Sequence, residues 1–245
     1  MPGFEILALA ALITASSYCV FGLTGFGSTV LALPLLAHLV PLKFAVSLLL
    51  LLDFAASLAL STRARGAVRK DEFVRVIPFL LAGMAIGVTL LVELPERPLL
   101  ATLGVFLLAY AGYCLAGRRT LALSRGWAAP IGVAAGGFSA LFGTGGVLLV
   151  LYFSGRLHNA AELRATTAAG ILVSTLTRVV LFGATGLLAQ DGLLVSALML
   201  LPCVFVGLFV GQRLHDRVKP AMVLKALYAL LLLNGLSLLA RYAFA

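Results

Sequence analysis

Apolar residues run along this chain in eight long blocks, at about 4–40, 42–60, 73–93, 98–116, 128–156, 166–187, 193–212 and 221–241, separated by short polar stretches. A helix needs about 20 apolar residues to cross the hydrocarbon core of a bilayer, and six of the blocks have ordinary span length. The first block, at about 37 residues, is too long for one straight crossing and too short for two full ones, and the fifth runs to about 29. Both are interrupted near the middle by glycine, in Gly22-Leu23-Thr24-Gly25-Phe26-Gly27-Ser28 and in Gly143-Thr144-Gly145-Gly146. Glycine this dense breaks a helix. Each long block therefore predicts two shorter helices joined at a Gly-rich break.

The blocks also repeat. Gly25-x-Gly27 matches Gly143-x-Gly145 at an offset of 118 residues, and Pro78-x4-Gly83-x3-Gly87 matches Pro202-x4-Gly207-x3-Gly211 at an offset of 124. Two landmarks in one order and near one offset predict two membrane repeats, 1–117 and 128–245, joined by a basic linker at 118–127 that holds Arg118, Arg119 and Arg125. Composition agrees with a chain that lies almost wholly in lipid. It is 62% hydrophobic and 11% charged, with a mean hydropathy of +1.13, against roughly 45–50% and about 25% in soluble domains. That excludes a soluble enzyme, a disordered chain and a disulfide scaffold. Cys19, Cys114 and Cys203 all fall inside apolar blocks with no metal-ligand spacing. The start, Met1-Pro2-Gly3-Phe4-Glu5, lacks the basic region of a signal peptide, so the first block is expected in the mature protein.

The net charge of +9 sits in loops, which fits the positive-inside rule better than nucleic-acid binding. The loop after the second block carries Arg63, Arg65, Arg69 and Lys70, whereas its counterpart, Ala189-Gln190-Asp191-Gly192, carries no Lys or Arg. The loop after the third block (Glu93, Glu96, Arg97) is weakly acidic, whereas its counterpart carries Arg213, Arg217 and Lys219. Equivalent loops with opposite bias predict an inverted repeat, an architecture of secondary transporters. The fifth block lies between two basic loops, the second holding Arg156 and Arg164. It is therefore expected to turn back as a hairpin with its glycine turn inside the membrane, and the first block to do the same from the opposite side; were the loop at 155–165, which also holds a glutamate, external, both would be broken single crossings. The expected fold is an all-α integral membrane protein, each repeat a Gly-broken helix hairpin followed by three transmembrane helices.

Irregular backbone in the membrane is tolerated only where it is buried in protein or lines a cavity. A new helix is expected after each turn, at about Ser28 and Gly146. Its first four N–H groups have no intrahelical acceptor, the helix dipole adds roughly half a positive charge there, and glycine lets a ligand approach the backbone. Two such N-termini near the midplane form a candidate anion site, to which Thr24, Ser28, Thr29 and Thr144 could add hydroxyl donors. The competing explanation is that the glycines serve helix packing.

Two charges lie deep in apolar blocks, Asp53 in the second and Arg178 in the sixth. An ionisable group at that depth costs roughly 2.5–3.5 kcal/mol on insertion scales, which makes it a functional candidate. Arg178 could hold an oxyanion through its guanidinium and Asp53 could carry a coupling proton, unless the two form a structural ion pair. In the repeat alignment Arg178 stands opposite Leu60 and Asp53 opposite Ile171, so the charges break the repeat symmetry. His38 and His158 fall near block ends, Gln212 near the cytoplasmic interface, and Asn234 is as well placed for interhelical bonding as for a ligand. Pro78 and Pro202 are expected to kink their helices and the glycines beyond them to pack. Thr166, Thr167, Ser174, Thr175 and Thr177 line the sixth block, where local bonds to backbone carbonyls are open to them.

The stretch from Gly22 to Ser28 running into Leu33-Pro34-Leu35-Leu36, together with Phe142-Gly143-Thr144-Gly145-Gly146, resembles the sulfite exporter TauE/SafE family over essentially the whole chain. The resemblance implies a multi-pass anion transporter of the bacterial inner membrane, exporting sulfite, sulfoacetate or related sulfur-containing anions. A homodimer is implied by the resemblance alone. The family's motif residues fall on Gly25, Gly27 and Ser28 in the first half and on Gly143, Gly145 and Gly146 in the second, where Gly146 replaces the serine. The combined expectation is a secondary transporter of small anions that is not an enzyme, needs no cofactor or metal, and binds substrate through Thr24, Gly25, Gly27, Ser28, Thr29, Gly143, Thr144, Gly145, Gly146 and Arg178. A passive anion channel, or a proton-coupled transporter of an unrelated small solute, is the alternative. No P-loop, HExxH or GxSxG motif is present.

Overall fold

The computed structural model describes residues 4–24, 27–61, 68–115, 123–214 and 229–240, and among these every regular element is helical. In chain order they are α1 (Phe4–Thr24), α2 (Ser28–Leu36), α3 (Leu42–Ser61), α4 (Lys70–Glu93), α5 (Glu96–Leu115), a 3-10 turn (Arg125–Trp127), α6 (Ala128–Phe142), α7 (Gly145–Ser154), α8 (Ala160–Ala184), α9 (Leu193–Leu214) and α10 (Ala229–Ala240). Both anomalous blocks are thus divided in two, between α1 and α2 and between α6 and α7. The expectations that fall on Gly25, Arg63, Arg65, Arg118, Arg119, Arg217 and Lys219 lie outside the described residues, as do the side chains of Thr24 and Cys114.

Four of the described helices, α3, α4, α8 and α9, are long and apolar enough to cross a membrane. Their surfaces say the same. On α4 Val74, Ile86 and Leu90 are exposed while Gly83 and Gly87 are buried, and on α9 Leu198, Phe205 and Phe209 are exposed while Gly207 and Gly211 are buried. Bulky side chains outside and glycine inside suit a helix solvated by lipid rather than water. The protein is an all-α, multi-pass membrane protein.

The chain forms two compact units, and each draws on both halves of the sequence. One comprises 1–52, 94–118 and 189–245, the other 53–93 and 119–188, with α3 running through the division. In the second unit α4 packs along α6. A methyl group added at Gly83 would strike the carbonyl of Val133, and one at Gly87 would come within 2.7 Å of the Gly137 carbonyl oxygen and 2.8 Å of the Ala140 Cβ. In the first unit α9 packs along α1. There a methyl group at Gly207 would strike the Ala15 carbonyl, and one at Gly211 the Cys19 carbonyl and, at 3.1 Å, the Gly22 Cα. These are the same contacts repeated, because Gly83 and Gly87 map to Gly207 and Gly211 at an offset of 124, and Ala15, Cys19 and Gly22 map to Val133, Gly137 and Ala140 at 118. The expected packing role of the Pro-x4-Gly-x3-Gly glycines is therefore met. Backbones at this distance gain dispersion contact that no larger residue would permit.

The fifth block is a hairpin. The Leu123 N–H donates to the Gly155 carbonyl at 3.4 Å, and Arg156 Nη1 donates to the Leu123 carbonyl at 3.2 Å. The chain that leaves through α6 thus returns through α7 to its starting point. From there α8 begins at a conventional cap, with Asn159 Oδ1 accepting the Ala161 N–H at 2.9 Å and Glu162 in the first turn. In the first unit α1 and α2 also pack against each other.

Glycines of two kinds follow from this packing. Gly83→Ala and Gly207→Ala would drive a methyl group into a backbone carbonyl and should each lower stability by about 1–3 kcal/mol. Gly112→Ala and Gly183→Ala, helical positions with nothing within 4 Å of an added methyl, should raise it by about 0.5–1 kcal/mol. Thermal unfolding of the purified variants in one detergent checks the contrast, which disappears if α4–α6 and α9–α1 do not cross at these glycines.

Candidate functional site

The turn between α6 and α7 is built by glycine at two positions, for different reasons. Gly143 has φ +73°, a left-handed conformation that closes α6, its N–H donating to the Ser139 carbonyl at 2.8 Å and the next N–H, of Thr144, to Phe138 at 3.3 Å. Gly145 opens α7 against the side of α6, where an added methyl would strike the Ala135 carbonyl and come within 2.6 Å of the Ser139 Cβ. The first N–H groups of α7 follow at once, on Gly145 and Gly146, with no side chain to cover them.

Thr144 precedes α7 and makes no side-chain cap bond. It is 1% exposed, and its Oγ1 is buried with no hydrogen-bond partner. A hydroxyl stranded in this way costs about 1–3 kcal/mol.

α8 lies alongside. Ile171 is the neighbour that an added methyl at Gly146 would meet, at 3.1 Å, and Leu149 Cδ1 lies 3.0 Å from one at Gly170. The hydroxyls of Ser174 and Ser139 hydrogen-bond to each other, joining α8 to α6 one turn below Gly143. Arg178 follows Ser174 by one further turn, about 6 Å along the axis, on the same buried face. It is 2% exposed, with its guanidinium carbon 5.4 Å from the centroid of the Phe182 ring. Thr175, buried, shares this face. Thr167, two turns before Ser174, has an unpartnered buried Oγ1, and Thr166 accepts the Arg69 N–H at 3.0 Å.

In the first unit the corresponding turn has Gly27 at φ +94°, followed by α2 from Ser28. No side chain caps this helix, and its first backbone bond runs from the Leu31 N–H to the Gly27 carbonyl at 3.4 Å. Ser28 and Thr29 are buried and both engaged in further interactions. A methyl at Gly27 would meet nothing within 4 Å, so glycine is required here by backbone conformation alone. The two turns therefore differ in register. The motif pairs Gly27 with Gly145, yet Gly27 is left-handed before α2 whereas Gly145 is the first helical residue of α7.

Asp53 lies on α3, half-buried and engaged by its surroundings. One polar cluster escaped the sequence reading. Glu72, buried in the first turn of α4, accepts hydrogen bonds from Tyr152 and Arg156. Its only sequence signal is an acidic residue three positions before Arg75, which reads as an ordinary helix start.

Comparison with known proteins matches the sequence to a family. The family model described as Sulfite exporter TauE/SafE matches residues 8–238. A curated relative, the "Probable inner membrane transporter protein TsaS" of Comamonas testosteroni, is 29% identical over 194 residues, covering 78% of this chain and 81% of its own. No solved structure matches the chain. The chain belongs to the sulfite exporter TauE/SafE family and is a membrane transporter of that type.

Proposed function

We propose that the protein is a secondary transporter of small anions, sulfite or an organosulfonate such as sulfoacetate, working by alternating access in the bacterial inner membrane. The observation that carries this is the Thr144 hydroxyl, buried without a partner at the N-terminus of α7. A protein keeps such a group where something else accepts its hydrogen bond. The neighbouring groups are the uncovered N–H groups of Gly145 and Gly146 and the positive end of the α7 dipole. These are donors that an acceptor with negative charge would satisfy together with the Thr144 O–H. An oxyanion fits, its oxygens taking the Thr144 O–H and the glycine N–H groups. Arg178, buried on the same face of α8 as Ser174, is assigned to add a full charge and a fork of donors.

The N-terminal turn of α2, with Gly25, Gly27, Ser28, Thr29 and the preceding Thr24, is assigned the same kind of role in the first unit. Gly143 shapes the second turn and is kept with Thr144, Gly145 and Gly146 in the proposed site. The name of the family supports a sulfur oxyanion, and the name of the Comamonas relative supports the inner membrane. The opposite loop charges of the two halves support the inverted repeat on which alternating access depends. Asp53 is assigned proton coupling.

Thr144→Val keeps the shape and removes the hydroxyl. With no ligand it should leave the unfolding temperature unchanged or higher, because it deletes a stranded polar group. In proteoliposomes it should raise the KM for sulfite by about five- to tenfold. Equal KM values, or single-channel currents in place of saturable counterflow, would remove the anion-site reading.

Asp53→Asn should abolish the response of sulfite flux to an imposed proton gradient while the protein stays folded. Loss of stability with unchanged gradient dependence would instead make Asp53 a structural partner.

A further inference from the structure

Glu72 is 7% exposed at its side chain, yet three donors reach it. Tyr152 Oη donates to Oε2 at 2.7 Å, and Arg156 donates to Oε1 from Nη2 at 2.7 Å and from Nε at 3.1 Å. Arg75 Nη1 stands 3.6 Å from the same oxygen. The remaining Arg156 nitrogen, Nη1, donates to the Leu123 carbonyl, and the Leu123 N–H donates to Gly155. The start of α4, the foot of α6 and the foot of α7 are thus joined at one carboxylate. Charge-assisted bonds of this length are the stronger class, and the bonds to Glu72 push the pKa of Arg156 above its ordinary value. Removing the charge would strand buried donors.

Higher up, Gly83 and Gly87 press α4 against α6 at backbone distance. The hairpin is consequently fixed to α4 both at its foot and along its length, and the end away from the foot is the turn that carries Thr144. The residues of this junction are not repeated in the alignment of the two halves. The positions that correspond to Glu72, Tyr152 and Arg156 at the repeat offsets are Ser196, Pro34 and His38. His38 instead shares a hydrogen bond with Ser237 on α10, Nε2 to Oγ at 3.2 Å.

We infer that Glu72 is a positioning residue for transport. Its buried junction with Tyr152 and Arg156 locks the foot of the α6–α7 hairpin to α4, so that the three helices move as one body and the N-terminal turn of α7 stays in place for its anion. Only the last clause rests on the anion-site reading above.

The test uses the full-length protein with Cys19, Cys114 and Cys203 replaced by serine and spin labels on Val74→Cys and Trp127→Cys, two exposed positions on α4 and at the foot of α6. The distance between the labels should be narrow and unchanged by sulfite in the parent, and should broaden in Glu72→Gln. In proteoliposomes Glu72→Gln should raise the KM for sulfite on the order of tenfold with Vmax within about twofold. Tyr152→Phe, which keeps the ion pair, should move both readouts the same way by less, and it decides the matter if Glu72→Gln fails to fold. An unchanged KM, a raised KM with an unbroadened distance, or a distance that shifts with sulfite in the parent would each overturn the proposal. If the parent carries no sulfite, the anion reading fails on its own and the label distances alone decide the lock.

Discussion

A backbone N–H or C=O that finds no partner in lipid is costly, and the rest of this structure follows from how the chain handles that constraint at two places. Helices satisfy their own backbone everywhere except at their ends. The chain introduces two such ends inside apolar blocks, at 24–28 and at 142–145. It tolerates them because each break folds its second helix against its first. At the second break this is visible atom by atom. Gly143 adopts the left-handed turn that lets α6 close on its own carbonyls, and Gly145 lets α7 start in contact with the α6 backbone. What remains unsatisfied is the donor side of the α7 N-terminus, which is the side an anion can satisfy.

The same constraint explains the heavy use of glycine elsewhere. Lipid is as apolar as a leucine side chain, so two helices in a membrane gain little by burying bulky residues together. They gain by close approach. The α4–α6 and α9–α1 crossings are built this way, and the repetition of their contacts at offsets of 118 and 124 shows the same solution reached in both units. The cost is intolerance, since a single methyl group at Gly83 or Gly207 meets a carbonyl that cannot move aside.

Much of this was legible in the sequence because glycine is informative in apolar blocks. Density alone located the breaks at 22–28 and 143–146, and the Pro-x4-Gly-x3-Gly spacing located the crossing faces. Which partner each face meets was not legible, because α4 packs on a helix about 50 residues later and α9 on one nearly 190 residues earlier. The motif also misled in one respect. It equates Gly27 with Gly145, yet Gly27 is left-handed and Gly145 helical, because the same letter serves conformation at one position and clearance at another. Glu72 was hidden for a third reason. An acid in a first helical turn and an arginine in a basic loop each have an ordinary explanation, and only the hairpin brings them to one point.

Three threonine hydroxyls among the described residues, on Thr14, Thr144 and Thr167, are buried without partners, and their positions separate them. Thr14 and Thr167 lie inside helices α1 and α8. A threonine there can rotate its hydroxyl onto the carbonyl one turn back, as Thr177 does onto Val173 at 2.9 Å and Thr102 onto Pro98 at 2.8 Å. A small side-chain rotation would therefore satisfy both. Thr144 is not inside a helix: the left-handed Gly143 ends α6 immediately before it, and α7 begins immediately after it. Its natural local partner is the N–H of its own new helix, as in a cap, and the structure does not make that bond. A buried threonine that forgoes its cap in the hairpin turn is the observation on which the proposed anion site rests, and it separates that proposal from the packing role that accounts for the other glycines.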